Sequence, residues 1–194
     1  MRPNLGKSAP AGALLLGMLL LSVGQLANAA GLPPLPKLPP LSDQKEWDAA
    51  IEKFSKVPDP KLARNRRLVM EAELGFAKSL RYGHVREIFE HYLAPNYVQH
   101  NPNVEPGREG IIRSFEAGVA PPEPKTKPGE TPPRNSAIPT LVMADGDYVA
   151  LAFEVQVPDP KDSSKTYTYN PTTIFRIENG QIVEHWGGPP KGAM

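Results

Sequence analysis

The sequence predicts an α+β domain in which helices precede an antiparallel sheet. Residues 42–117 carry apolar side chains at helical spacing. Residues 138–187 alternate β-branched and aromatic runs with turn pairs, as the strands of a meander do. The strongest turn is Asn179-Gly180, because Asn and Gly accept the positive φ that a type I′ hairpin requires. Helices followed by such a meander indicate helices packed on one face of a sheet.

Two long helices are predicted first. One covers residues 42–55, with Ser42 as the capping residue at its N-terminus. The next begins at Asp59-Pro60, because Asp is a favoured cap and Pro is favoured in the first helical turn, and it ends near residue 81. The residues that this second helix is expected to bury are Leu62, Val69, Met70, Phe76, Ala77 and Leu80.

Shorter elements come next. A helix over residues 85–93 precedes a short strand over residues 97–100, and a further helix follows Pro106-Gly107. The residues that these two helices are expected to bury are Val85, Ile88, Phe89 and Tyr92 in the first and Ile111, Ile112 and Phe115 in the second.

The remaining predicted elements are strands. Residues 138–144 and 148–157 flank an Asp-Gly-Asp turn, and residues 165–170 form a further strand. The β-hairpin over residues 172–187 closes the domain. Pro171 has no N–H for a ladder hydrogen bond, so we expect it at a sheet edge or a bulge.

The N-terminus has the three parts of a secretory signal peptide over residues 1–29. Arg2 and Lys7 supply the charged start, residues 11–23 the short apolar run, and residues 27–29 the small-x-small cleavage site. The apolar run is shorter than the roughly 18 residues that cross a bilayer, and no Cys follows it as a lipid anchor. We therefore expect a secreted or periplasmic protein that is free of the membrane after cleavage.

One Pro-rich segment precedes the predicted domain and a second interrupts it. Residues 30–41 contain five prolines and are expected to form an extended spacer. Residues 118–137 form a long Pro-rich insertion that is expected to be irregular. Residues 42–190 are of a length that builds one domain with one core.

Composition excludes several classes of function. The chain has 22 basic and 21 acidic residues, so it offers no strong field for nucleic acid or an anionic membrane. It has no Cys, which excludes disulfides and thiol chemistry. His84 and His91 have no third ligand in register, so we predict no metal site. The sequence also lacks a Gly-rich phosphate loop, a nucleophile elbow and an Asp-rich calcium loop.

Three motifs in order resemble the SnoaL-like family of the nuclear-transport-factor-two-like superfamily. They are YVQHNPNV at residues 97–104, DGDYVA at residues 145–150 and EHW at residues 184–186. The resemblance covers roughly residues 60–188. It implies a cone-shaped, strongly bent antiparallel sheet packed on three to four N-terminal helices, with an apolar pocket inside. It also implies a small apolar or aromatic ligand, chemistry without cofactor or metal, and a homodimer formed through the outer sheet face.

The resemblance also points to the closing hairpin as the site. The family places an acid or a His where Thr173 stands, and an Asp after the Trp, where this chain has Gly187. Strand alternation puts Thr173 and Phe175 on one face and His185 and Gly187 on one face of the next strand. We therefore expect Thr173, Phe175 and His185 to line one cavity. His185 is the candidate general base or donor, and the alternative is a packed imidazole bonded across the strands.

The other candidate residues each have a structural alternative. His100 and Asn101 are expected at the pocket mouth as ligand contacts, or else as loop anchors that hold backbone groups beside Pro102. Tyr97 is a candidate ligand contact that is more simply explained as a core residue. Glu154 would replace the absent Asp if its strand face were concave, and it would otherwise be a solvated carboxylate.

Two functional hypotheses follow. The first is an exported, catalytically degenerate domain that binds a small apolar or aromatic molecule. The second is a cofactor-independent aldol cyclase, isomerase or dehydratase, with His185 as general base and Thr173 or His100 as orienting donor. Because Gly187 cannot transfer a proton, the sequence favours the first. Trp186 is expected on the opposite sheet face and, with Phe153, at the interface of a homodimer.

Overall fold

A computed structural model describes residue 32 and residues 34–118 and 138–188 of the chain. The described residues form four helices: α1 (Gln44–Ser55), α2 (Pro60–Tyr82), α3 (Val85–Tyr92) and α4 (Gly107–Ala117). They also form seven strands: β1 (Leu93–Gln99), β2 (Leu141–Asp145), β3 (Tyr148–Ala152), β4 (Val155–Asp159), β5 (Asp162–Tyr169), β6 (Thr172–Glu178) and β7 (Gln181–Gly187). The predicted signal peptide and all but the first residue of the predicted insertion lie outside the described residues.

The helices follow the predicted caps closely. The Asp59 carboxylate accepts hydrogen bonds from the N–H groups of Lys61 and Leu62, which fixes the start of α2. Gly83, at φ 79°, ends the same helix. The start of helix α1 is shifted by one residue, because Asp43 rather than Ser42 stands at its N-cap, without a side-chain cap bond.

Five strands form one curved sheet in the order β1-β7-β6-β3-β2. Helix α2 packs on β2 and β3, while α3 and α4 pack on β1. The predicted α+β class is confirmed, but the sheet is mixed because β1 runs parallel to β7. The pairing of β1 with β7 joins segments far apart in sequence, so local strand patterns do not reveal its direction.

The predicted strand over residues 148–157 is divided in the structure. Strand β3 ends at Ala152, and β4 begins at Val155 and pairs with β5 in a separate two-stranded sheet. At the bend the Phe153 N–H donates to the carbonyl of Pro171, and Glu154 is exposed. Residues beyond Ala152 therefore leave the curved sheet, which moves Glu154 away from its inner face.

The closing hairpin contains the predicted tight turn and a bulge that was not predicted. Asn179 and Gly180 have φ values of 51° and 78°, in agreement with a type I′ turn. The register pairs Ile177 with Ile182 but Arg176 with Glu184, so Val183 is an extra residue in β7. This shift places His185 opposite Phe175 and Thr173 opposite Gly187. The bulge therefore puts His185 on the same sheet face as Thr173 and Phe175.

The core lies between the helices and the inner face of the sheet. The largest fully buried side chains include Trp47 of α1, Met70 of α2, Phe89 of α3 and Leu151 of β3. All four α3 residues that were predicted to be buried are buried in the structure. None of the described helices has the length and apolar character needed to cross a membrane.

Candidate ligand-binding site

A cavity of about 440 Å³ lies between α2, α4, β1 and the inner face of the sheet. Its wall is largely apolar and rich in aromatic rings. The apolar and aromatic lining comprises Phe76, Ala77, Leu80, Phe89, Leu93, Tyr97, Val104, Ile111, Phe115, Phe153 and Phe175. The polar lining side chains are those of Glu73, Gln99, Asn101, Thr173 and His185. The size and lining are typical of sites for small organic molecules.

The polar side chains of β1, β6 and β7 form one hydrogen-bonded chain. The His185 ring lies 2.8 Å from the Gln99 amide oxygen through Nδ1 and 2.5 Å from the Thr173 hydroxyl through Nε2. The Gln99 amide nitrogen, Nε2, donates a hydrogen bond to the Tyr97 hydroxyl oxygen at 3.0 Å. The four side chains are thus connected across three strands.

The partners of Gln99 fix the direction of this chain. The Asn101 backbone N–H can only donate, and it lies 2.9 Å from the Gln99 side-chain oxygen. That oxygen is therefore an acceptor, so His185 donates to it from Nδ1. In a neutral imidazole Nε2 is then the acceptor, and it receives the Thr173 hydroxyl proton. The same hydroxyl has a second acceptor within reach, the Trp186 carbonyl at 3.2 Å.

Burial keeps His185 neutral. Desolvation, with a smaller contribution from the charge of His100, lowers the pKa of His185 from 6.5 to about 4. The ring also stacks on Phe175 at a centroid distance of 4.9 Å. An imidazole with this pKa and with both nitrogens occupied is a weak base at neutral pH. Its geometry matches the packed, cross-strand alternative.

The cavity also contains a carboxyl group that sequence reasoning missed, that of Glu73 on α2. Burial raises the pKa of Glu73 from 4.5 to about 7. Burial, together with the nearby charge of Glu73, also raises the pKa of Tyr97, which keeps the phenol protonated. A sequence signal was present: Glu73 lies four residues after Val69 and three before Phe76, inside the apolar stripe of the helix.

Gly187 leaves room for the contact between Thr173 and His185. A Cβ at this position would lie 3.0 Å from Thr173 Oγ1 and 3.2 Å from His185 Nε2. The residue also has φ 151°, a backbone conformation that other residues rarely adopt. The side chain that the family pattern places here is therefore incompatible with the hydrogen bond that this chain forms.

The structure brings together five of the seven predicted site residues. Thr173 and His185 line the cavity together with Tyr97, Asn101 and Phe175. Tyr97 is also buried, and the Asn101 side chain accepts the Asn103 N–H, as the loop-anchor alternative predicts. These residues therefore combine a structural role with a position at the cavity.

The other two predicted residues lie elsewhere. His100 stacks on Trp186 at a centroid distance of 5.1 Å and contacts the Glu184 carboxylate at 2.8 Å, on the outer face of the sheet. His100 follows Gln99, whose side chain points into the cavity, so strand alternation turns the imidazole outward. Glu154 is exposed at the bend after β3 and does not line the cavity.

A larger groove of about 710 Å³ lies at the opposite end of the domain, and most of its charged side chains pair with one another. Lys61 pairs with Asp147 at 2.9 Å, and Arg67 pairs with Glu52 at 3.0 Å. In the part of the chain that the structure describes, no cluster of three or more His, Cys, Asp or Glu side chains has the arrangement of a metal site. The cavity beside His185 is therefore the candidate site.

The fold and this cavity define an α+β domain of the cone type. The sequence profile of the family described as SnoaL-like domain matches residues 76–185, which is more than half of the chain. The protein therefore belongs to the SnoaL-like domain family, as its three motifs indicate. No curated protein matches the chain.

Solved structures with a similar fold include three from different bacteria. TsrD from Streptomyces laurentii is 20% identical over 63% of this chain and 88% of its own, with a TM-score of 0.41. A protein labelled a SnoaL-like polyketide cyclase from Jannaschia sp. CCS1 is 13% identical over 69% of this chain and 90% of its own, with a TM-score of 0.47. An NTF2-like protein from Anabaena variabilis is 12% identical over 65% of this chain and 90% of its own, with a TM-score of 0.43. These similarities concern the fold alone and carry no information about ligand or reaction.

Proposed function

We propose that this protein is an exported SnoaL-like domain that holds a small, mainly apolar or aromatic molecule in its cavity. The observation that carries the proposal is the combination of an aromatic wall with a few polar groups at one side of a cavity of about 440 Å³. The hydrogen-bonded chain from Thr173 to Tyr97 supports it, because it holds the polar wall in one arrangement.

A co-purification experiment tests the binding function. The full chain is produced with its leader in a secreting host, and molecules released from the purified exported protein are identified by mass spectrometry. Ala77 lines the cavity, so Ala77→Phe is expected to fill it and release the bound molecule. Tyr167→Ala, on the separate two-stranded sheet, is the control and is expected to retain the molecule. Retention in a folded Ala77→Phe protein would contradict the proposal.

Export is the second part of the proposal and has its own test. The charged start, apolar run and small-x-small site of residues 1–29 support cleavage after Ala29. N-terminal sequencing of the protein from the medium or periplasm is expected to begin at residue 30. Recovery of the intact chain from the cytoplasm would contradict export and leave the cavity proposal unaffected.

A second candidate function is cofactor-independent proton transfer of the cyclase, isomerase or dehydratase type. The observation that favours it is Glu73, whose pKa of about 7 lets it exchange a proton near neutral pH. The pKa of His185, about 4, makes the imidazole the poorer base. In this reading the catalytic group is Glu73, and turnover of the co-purifying molecule is lost in Glu73→Gln but retained in His185→Gln.

The outer face of the sheet supports a homodimer as the functional state. Large apolar side chains on this face are 40% to 54% exposed: Val98, Leu141, Met143, Tyr148 and Ile174. Trp186 lies on the same face against His100 and Tyr148. Phe153 was expected beside it but lines the cavity instead. A second copy of the chain is the partner that this surface fits best, because a homodimer covers the same apolar patch on both subunits.

A further inference from the structure

We infer that the cavity is built for an organic cation, a protonated amine carried on an apolar or aromatic body. The inference rests on the proposed binding function and names the class of molecule that the same site takes. It follows from three features of the lining: an unpaired carboxyl group, a group of aromatic rings in the same cavity, and the side chains of Gln99 and His185, which are already bonded to one another.

The carboxyl group is that of Glu73. It faces the cavity from the apolar stripe of α2, and within the described ranges no side chain or backbone group forms a hydrogen bond or ion pair with it. Within the same ranges, no Lys or Arg lines this cavity. Glu73 is half-buried. A carboxylate that is partly withdrawn from water and has no partner is destabilised, and a bound cation would supply the missing charge.

The aromatic rings that line the same cavity as Glu73 suit the same ligand. Phe76 and Phe89 have centroids 4.3 Å apart, and Phe89 and Phe115 have centroids 4.6 Å apart, so three rings form one group at the wall. Phe175 and Tyr97 line the same cavity. Ring faces carry partial negative charge and attract ammonium groups, while the rest of the ring surface accepts an apolar body.

Two of the remaining polar groups, His185 and Gln99, offer little to a different ligand. Both nitrogens of His185 and both ends of the Gln99 amide are hydrogen-bonded within the protein. His185 is neutral, so the described lining contains no positive charge for an anion. A neutral ligand would leave the Glu73 carboxylate unpaired. A cation is the class that satisfies both Glu73 and the rings.

Titration calorimetry at about pH 8 tests the inference with three probes of similar size. They are 2-phenylethylammonium, the neutral 2-phenylethanol and the anion 3-phenylpropanoate. The exported protein is first unfolded and refolded to remove any co-purifying molecule. We expect the ammonium to bind about tenfold or more tightly than the alcohol, and the anion to bind most weakly.

Two variants assign the preference to Glu73. Glu73→Gln keeps the shape and removes the charge, so the ammonium and the alcohol are expected to bind it equally. Glu71→Gln is the matched control, because Glu71 lies on the same helix, lines the opposite groove and pairs with Arg67 at 3.5 Å. It is expected to keep the preference of the natural protein.

The outcomes separate the inference from the proposed function. Equal binding of ammonium and alcohol to the natural protein would overturn the inference and leave the binding function standing. An ammonium preference that survives Glu73→Gln would also overturn it. If none of the three probes binds while the refolded protein retains its native circular dichroism, the binding function fails for molecules of this size and the inference fails with it.

Discussion

His185 donates a hydrogen bond from Nδ1 to the side-chain oxygen of Gln99, 2.8 Å away on the neighbouring strand. Because the Asn101 N–H occupies the same oxygen, the amide cannot turn around without losing both bonds. This contact fixes the imidazole tautomer and leaves Nε2 as the acceptor for Thr173. The imidazole that the sequence offers as a candidate general base is therefore held neutral with both nitrogens bonded, whereas burial raises the pKa of Glu73 in the same cavity to about 7.

Thr173→Val tests the hydrogen bond at Nε2. Valine has nearly the same shape but no hydroxyl, so a partly buried acceptor is left without its donor. We expect a loss of about 1–2 kcal/mol in the free energy of unfolding, measured by urea denaturation at neutral pH. Thr172→Val, an exposed neighbour on the same strand, is the control and should change stability little. Nitrogen NMR of His185 should report the Nδ1–H tautomer in the natural protein, and the Nε2–H tautomer would contradict the assigned direction.

Gln99→Glu should turn His185 into a stronger base. A carboxylate next to Nδ1 stabilises the imidazolium, so the pKa of His185 should rise from about 4 to about 6. An NMR titration of the imidazole protons measures this directly. Gln156→Glu, in the separate two-stranded sheet, should leave the His185 titration unchanged. If the His185 pKa stays near its original value in Gln99→Glu, the 2.8 Å contact does not control the imidazole.

Glu73 should make the protein less stable as the pH rises. Between pH 4.5 and about 7 the folded state keeps the Glu73 proton that the unfolded state has released. The free energy of unfolding therefore falls as the pH rises through this window and stays lower above it. His185 raises the free energy of unfolding as the pH rises from about 4 to 6.5, because in this window only the unfolded state binds a proton on the imidazole. The two effects oppose one another over the shared part of the range.

Glu73→Gln removes the titrating carboxyl group, so comparing its stability with that of the natural protein measures the pH dependence caused by Glu73. The variant is expected to match the natural protein near pH 4 and to exceed its stability by up to about 3 kcal/mol at pH 8. Denaturation curves at a series of pH values measure the difference. Glu109→Gln is the control, since Arg86 already lowers the pKa of that exposed carboxyl. A natural protein as stable at pH 8 as Glu73→Gln would show that Glu73 carries no buried charge.

Gly187→Ala should disturb the contact between Thr173 and His185. The new Cβ would lie 3.0 Å from the Thr173 hydroxyl and 3.2 Å from the imidazole, in a backbone conformation that alanine disfavours. We expect a loss of about 2–3 kcal/mol by thermal denaturation, from strain and overpacking together. Gly180→Ala supplies the comparison, because its φ is also positive but no atom lies within 4 Å of the added group. Equal losses in the two variants would show that the close contact at Gly187 costs nothing.

The outer sheet face should hold two copies of the chain together. Light scattering at micromolar concentration is expected to give twice the mass of one chain. Met143→Lys places a charge on the exposed face and should shift the mass toward that of a monomer, whereas Tyr167→Lys on the separate two-stranded sheet should not. A monomer mass for the natural protein would contradict the homodimer.

Local signals predicted most elements correctly. The Asp59 cap and the Asn179-Gly180 turn are each satisfied within a few residues of sequence. The order of the helices and strands predicted the α+β class, and the family motifs indicated the closing hairpin as the place of a site. What local patterns could not give was the parallel pairing of β1 with β7 or the bend after Ala152, because both depend on distant partners.

The site, too, has features that the sequence alone determined and features that only the tertiary structure decided. The sequence alone determined the order of the helices and strands and the presence of Thr173 and His185 in one hairpin, because these follow from local backbone preferences. Tertiary structure decided which face each side chain occupies, since the bulge at Val183 sets the register of His185. It also decided the chemistry, because only the packing of α2 against the other cavity walls buries the Glu73 carboxyl and changes its pKa.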